Sequence, residues 1–153
     1  MDITLQRANN QVHFIARNSE GNTVDIDGSP AIGGQGKGFR PMELLLAATA
    51  GCASMDLIPI LRKQRQSVDD VAVRVRGRRV EGRTPAPFEK IEIAFLLCGD
   101  VDRISAEQAA ALAVEKYCSV AESLSPRIKV SWSVDIVPPG QRATHAEAPS
   151  YEA

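Results

Sequence analysis

The chain has 153 residues, 18 Lys plus Arg against 19 Asp plus Glu, a formal net charge of −1, and three cysteines. That length suits one domain with its own core, and the balanced charge argues against a nucleic-acid or anionic-membrane partner. Three scattered cysteines are too few for the disulfide framework of a small secreted domain.

The first third reads as a meander of short strands. Ile3 and Leu5 alternate with polar neighbours, Val12, Phe14 and Ala16 do so next, and Thr23–Asp27 gives a third strand, with RANN and NSEGN as turns. MDITLQRANN lacks a basic region followed by an apolar stretch, so no signal peptide is expected and the expected location is cytoplasmic. Residues 28–40, GSPAIGGQGKGFR, form a glycine-rich connector that a packed element would not tolerate. GGQGKG is not a phosphate loop, because Lys37 precedes Gly38 rather than Ser or Thr, and a flexible connector is expected.

Pro41 suits the first turn of a helix, where its missing N–H costs nothing. The following run is apolar nearly all round, as in a helix enclosed by other elements. Residues 44–61 raise the question of a membrane span, but Gly51, Asp56 and Pro59 favour a buried core helix. Pro59 is expected to kink or interrupt it.

Val71, Val73 and Val75 then alternate with Ala72, Arg74 and Arg76, and the arginines of VRVRGRR (73–79) read as a solvated strand face. Beyond the turn EGRTPAP, Ile91, Ile93, Phe95 and Leu97 alternate with Glu92, Ala94 and Leu96; Cys98 falls on the second parity at the strand end, a bystander. A second helix is predicted from Ser105, with Gln108 completing a capping box, to just before Pro126. Ile128, Val130, Trp132, Val134 and Ile136 alternate with Lys129, Ser131, Ser133 and Asp135, with Trp132 anchoring the buried face. From Pro138 the periodicity stops, so 138–153 is expected to be a disordered tail. The order β-β-β-α-β-β-α-β groups strands rather than alternating them with helices, which predicts an α+β fold with two main helices and a largely antiparallel sheet.

The chemistry centres on Cys52 and Cys118. At about 3.6 residues per turn, Cys52 shares a helix face with Leu45, Ala48, Met55, Asp56 and Pro59, and Cys118 with Ala111, Val114 and Ala121, flanked by Glu115 and Glu122 as a solvated edge. Free cysteine packs as a small hydrophobe. Two such thiols are either core filler or, if their stripes pack together, a pair able to cycle between dithiol and disulfide; spacing leaves both open. His13 reads as a half-exposed sheet residue, and His145 lies in the tail. With no CxxC or HxxxH spacing, no metal site is expected, nor is a Ser-His-Asp triad.

The stretch SPAIGGQGKGFRPMELLLAATAGCASMD resembles the first-cysteine signature of the OsmC/Ohr family: a glycine-rich loop, a Pro-led helix start, then alanine-rich sequence ending in the cysteine. VEKYCSV resembles the segment carrying that family's second cysteine. With the strand order, the resemblance covers residues 1–137, and the words PME, GC and EKYCSV look most like a YhfA-like branch. It implies an intertwined homodimer that reduces organic hydroperoxides without a bound cofactor. Cys52 would attack the peroxide as a thiolate and become a sulfenic acid, Cys118 would condense with it to a disulfide, and an external thiol or lipoyl-type dithiol would restore both.

Three departures from the peroxidase pattern matter. Active members carry glutamate directly after the proline, where this chain has Met42; Glu43 stands one further on, roughly opposite Cys52 on an ideal helix, and could serve a site only through the neighbouring subunit. The family's supporting arginine has no assignable counterpart among Arg7, Arg17 and Arg40. Asp56 replaces a small apolar residue, and a carboxylate there opposes thiolate formation. These departures support an alternative: a non-catalytic member that keeps its cysteines for redox sensing or packing and binds a small apolar ligand.

Overall fold

The computed structural model describes residues 1–141 and 143; most of the expected tail, His145 included, lies outside the described residues. The chain divides into two compact units, Met1–Leu45 and a larger one from Leu46 onward.

The first unit is an antiparallel sheet in the order β1 (Ile3–Arg7), β2 (Phe14–Asn18), β3 (Thr23–Ile26). Its register sets Leu5 opposite Ala16, Ala16 opposite Val24 and Phe14 opposite Ile26. Since alternate residues share a face, Ile3, Leu5, Phe14, Ala16, Val24 and Ile26 form one apolar surface. Ile3 and Leu5 on it are 55% and 58% exposed.

The glycine-rich segment after β3 is tied down rather than a loose connector. The buried Asp27 carboxylate accepts the N–H groups of Gly28, Gln35 and Lys37 at 2.8, 2.9 and 3.0 Å. Those bonds, led by that from Lys37, hold its pKa below the usual aspartate range. Closure requires Gly34, where a Cβ would lie 1.9 Å from the Gly28 carbonyl oxygen.

Helix α1 (Pro41–Lys63) runs from the first unit into the second. The Glu43 carboxylate accepts the Arg40 N–H at 2.9 Å, which satisfies a main-chain donor at the helix start. Pro59 does not interrupt α1, which continues through it to Lys63. It is also less enclosed than expected. Its buried residues, Thr49, Ala50, Ala53, Leu57 and Leu61, make a single stripe, while Met55 is 77% exposed. Among the described residues it is the one helix whose length and composition would suit a membrane span.

The second unit holds the sheet β4 (Ser67–Arg79), β5 (Phe88–Asp100) and β6 (Lys129–Val137), with β5 central. β4 pairs antiparallel with β5, but β6 runs parallel to it; the long connection after β5 allows that crossover. Flanked on both sides, β5 is buried from Ile93 to Gly99 on both faces. Cys98 is therefore fully buried in the central strand, not at a loose strand end.

That crossover departs most from the sequence reading. Helix α2 (Arg103–Ala111) is capped by Asp102, whose carboxylate accepts from the Ser105 N–H at 2.8 Å and Oγ at 3.0 Å. Ser105 is thus a donor inside the first turn, not the cap. Beyond α2, Leu112–Tyr117 widens into a π-helical turn, the backbone turns extended at Cys118 (φ −68, ψ 96), and a short α3 (Ser119–Glu122) follows. One long second helix is replaced by two helices joined through a break at Cys118.

Candidate functional site

The break gives Cys118 its role in the fold. As the residue capping α3, its sulfur accepts the Ala121 N–H at 3.3 Å, a donor otherwise orphaned at a helix start. Its thiol donates to the Thr49 carbonyl of α1 at 3.7 Å. With 4% of its surface exposed, Cys118 is buried, whereas Cys52, three residues after Thr49 on α1, is half-buried. All three cysteines are thiols, with no disulfide between any two.

The two predicted thiols are neighbours. Burial pushes the Cys118 thiol up, the Ala121 N–H draws it back, and the adjacent Cys52 thiol pushes it up again through a side-chain hydrogen bond and its charge. A neutral Cys118 therefore faces a more accessible Cys52, so the two groups are not equivalent as nucleophiles.

The other candidates separate from this pair. Glu43 lies in the first turn of α1, its carboxylate engaged with the Arg40 N–H. Asp56 is half-buried one turn beyond Cys52, near enough in sequence to act electrostatically on it. Cys98 lies in β5, paired in register with Asp70 and Val137.

His13 is not half-exposed but 8% exposed, because its Nε2 lies 2.6 Å from the Asp25 carboxylate across the sheet. Trp132 is half-buried rather than an anchor of a closed core, and its Nε1 donates to Glu115 at 2.8 Å. Glu115 is exposed as expected, yet partnered. Among the described residues, no group of three His, Cys, Asp or Glu side chains is placed to hold a metal. Thr49 and Ala121 were not foreseen, because both act through main-chain atoms that no side-chain pattern reports.

Two three-stranded sheets, a long apolar helix carrying one thiol and a broken crossover carrying the second define an OsmC-type protein. The model of the family described as OsmC-like protein matches residues 34–133. Protein YhfA of Escherichia coli K12 is 33% identical over 125 residues, covering 81% of this chain and 90% of YhfA. A hypothetical protein from Aquifex aeolicus VF5 superposes with a TM-score of 0.73 at 34% identity, over 89% of this chain and 96% of its own. The likeness to an organic hydroperoxide resistance protein OsmC from Legionella pneumophila is one of fold, with a TM-score of 0.66 at 18% identity over 87% and 94% of the two chains. The chain belongs to the OsmC-like family.

Proposed function

We propose that this protein is a thiol-dependent peroxidase that reduces organic hydroperoxides through a Cys52 sulfenate and a Cys52–Cys118 disulfide. The observation carrying this reading is that the break after the π-helical turn delivers Cys118 to α1, where its thiol donates to the Thr49 carbonyl one turn before Cys52 and feels the neighbouring Cys52 thiol. The accessible Cys52 sulfur attacks the terminal peroxide oxygen. An S–O bond forms, the O–O bond breaks, and the alkoxide takes the proton that Cys52 releases, giving an alcohol. Cys118 sulfur then attacks the sulfenic sulfur; the hydroxyl leaves with the Cys118 proton as water, and the disulfide forms. An external thiol or lipoyl-type dithiol reduces it, so no bound cofactor is required. Such a cycle needs a reducing compartment, which favours the cytoplasm.

A homodimer fits this reading. The apolar face carrying Ile3 and Leu5 and much of α1, including Met55, are uncovered in one chain. Exposed apolar residues of that kind mark association faces. In a dimer the Glu43 carboxylate is the candidate supporting group at the neighbouring subunit's thiol site.

Asp56 favours a second reading, a non-catalytic redox sensor or a binder of small apolar ligands. Its carboxylate stands one turn from Cys52 on α1, where the peroxidase pattern has a small apolar residue. Titrating reduced protein with cumene hydroperoxide and hydrogen peroxide, with thiols mapped by mass spectrometry, separates the two. Stoichiometric formation of the Cys52–Cys118 bond, faster with the organic peroxide and absent in Cys52→Ser, is expected of the peroxidase. Persistence of both thiols refutes it.

A further inference from the structure

We propose that the Cys52–Cys118 disulfide is opened from the Cys52 side, with Cys118 as the leaving sulfur and the Ala121 N–H as the group that receives its developing charge. The inference rests on the thiol-pair reading above and adds the direction of its reductive half.

Access selects the sulfur that is attacked. Thiol–disulfide exchange requires a thiolate to approach along the S–S axis, and of the two cysteines Cys52 is the more open, half-buried where Cys118 is 4% exposed. Attack by an external thiolate forms a new S–S bond to Cys52. The old S–S bond breaks, and its electron pair stays on the Cys118 sulfur. The second thiol of a dithiol reductant, deprotonated as it attacks, then displaces Cys52 as a thiolate and leaves as a cyclic disulfide. Two electrons pass from reductant to protein, and the Cys118 thiolate takes its proton from solvent.

A buried leaving group is a poor one unless its charge is met, since a lower-pKa thiol leaves faster. The Ala121 N–H, 3.3 Å from the sulfur, is aligned for this purpose before any reaction begins. With Cys52 bound to the reductant, its thiol no longer opposes ionisation of Cys118. Burial is then set against main-chain N–H groups alone. The π-helical turn and the extended backbone at Cys118 set this geometry, because an unbroken helix would spend the Ala121 N–H on a carbonyl four residues earlier.

The test uses full-length protein oxidised with diamide, so it does not depend on peroxide turnover. Brief exposure to glutathione, acid quenching and peptide mapping should place the adduct on Cys52. An adduct on Cys118, in protein that also forms the disulfide with cumene hydroperoxide, overturns this proposal and leaves the peroxidase reading standing. Failure of diamide to form the disulfide overturns both. Ala121→Pro removes the N–H within the first turn of α3, where proline is tolerated. It should slow reduction by glutathione at least five-fold while sparing the first oxidation of Cys52, and Ala121→Gly, which keeps the N–H, should not. Reduction of folded Ala121→Pro at the wild-type rate overturns the role given to Ala121; if that variant does not fold, the adduct map on the wild-type protein still decides the direction.

Discussion

The Cys118 thiol donates to the main-chain carbonyl of Thr49 across 3.7 Å, and Thr49 stands one turn before Cys52 on α1. A hydroxyl in place of the sulfur keeps both the donor toward Thr49 and the acceptor toward Ala121. Cys118→Ser should therefore fold, at a cost below about 1–3 kcal/mol. It should also stop the reaction at the first step. After one equivalent of cumene hydroperoxide, Cys52 should be captured as a sulfenic acid by dimedone, and excess peroxide should carry it on to the sulfinic acid. Rapid return of the Cys52 thiol without added reductant would contradict a resolving role for Cys118.

The raised Cys118 thiol makes stability depend on pH in a defined direction. Burial, first among its causes, keeps the folded thiol protonated where the unfolded chain has begun to ionise. Stability is at its plateau below the ordinary cysteine value of about 8.5 and declines as pH rises through it toward the higher folded value. Urea midpoints measured near pH 7 and near pH 9.5 should therefore fall more for the wild-type protein than for Cys118→Ala.

The loop between β3 and α1 is organised from Asp27. Asp27→Asn leaves one acceptor oxygen for three N–H donors and should lower the melting temperature. Because the folded carboxyl lies below its ordinary range, its contribution is complete above about pH 4 and is lost as pH falls through the lower folded value. The wild-type advantage over Asp27→Asn should thus shrink in acid. Gly34→Ala drives a Cβ against the Gly28 carbonyl and should cost about 1–3 kcal/mol by thermal or urea unfolding.

Leu5→Glu places a charge on the uncovered apolar face of the first sheet. If that face joins two copies, light scattering should show dimer dissociation raised at least about tenfold, equivalent to about 1.4 kcal/mol. An unchanged oligomeric state would remove this face from the interface.

The element order was legible because alternation and capping residues mark strands and helices locally. Partners were not. Asp102 and Ser105 present competing cap signals three residues apart, and only the observed hydrogen bonds choose Asp102. The apolar spacing runs through Cys118 unbroken, so nothing in it announces a π-helical turn; the sulfur's bonds to Thr49 and Ala121 accompany the break. The alternation of Val130, Trp132 and Val134 reads the same in a parallel as in an antiparallel pair, and His13 reads as half-exposed in sequence because its contact with Asp25 depends on strand register. The two cysteines themselves were found through the words around them.

The parallel pairing of β6 with β5 also orders events during synthesis. Cys52 emerges on a helix early in the chain, whereas Cys118 sits inside a connection that is fixed only when β6, at Lys129–Val137, closes against β5. Under the proposed cycle, a nascent or locally opened molecule would carry an accessible Cys52 without Cys118 beside it, and oxidants that reach it then would meet a cysteine with no route back through the intramolecular disulfide.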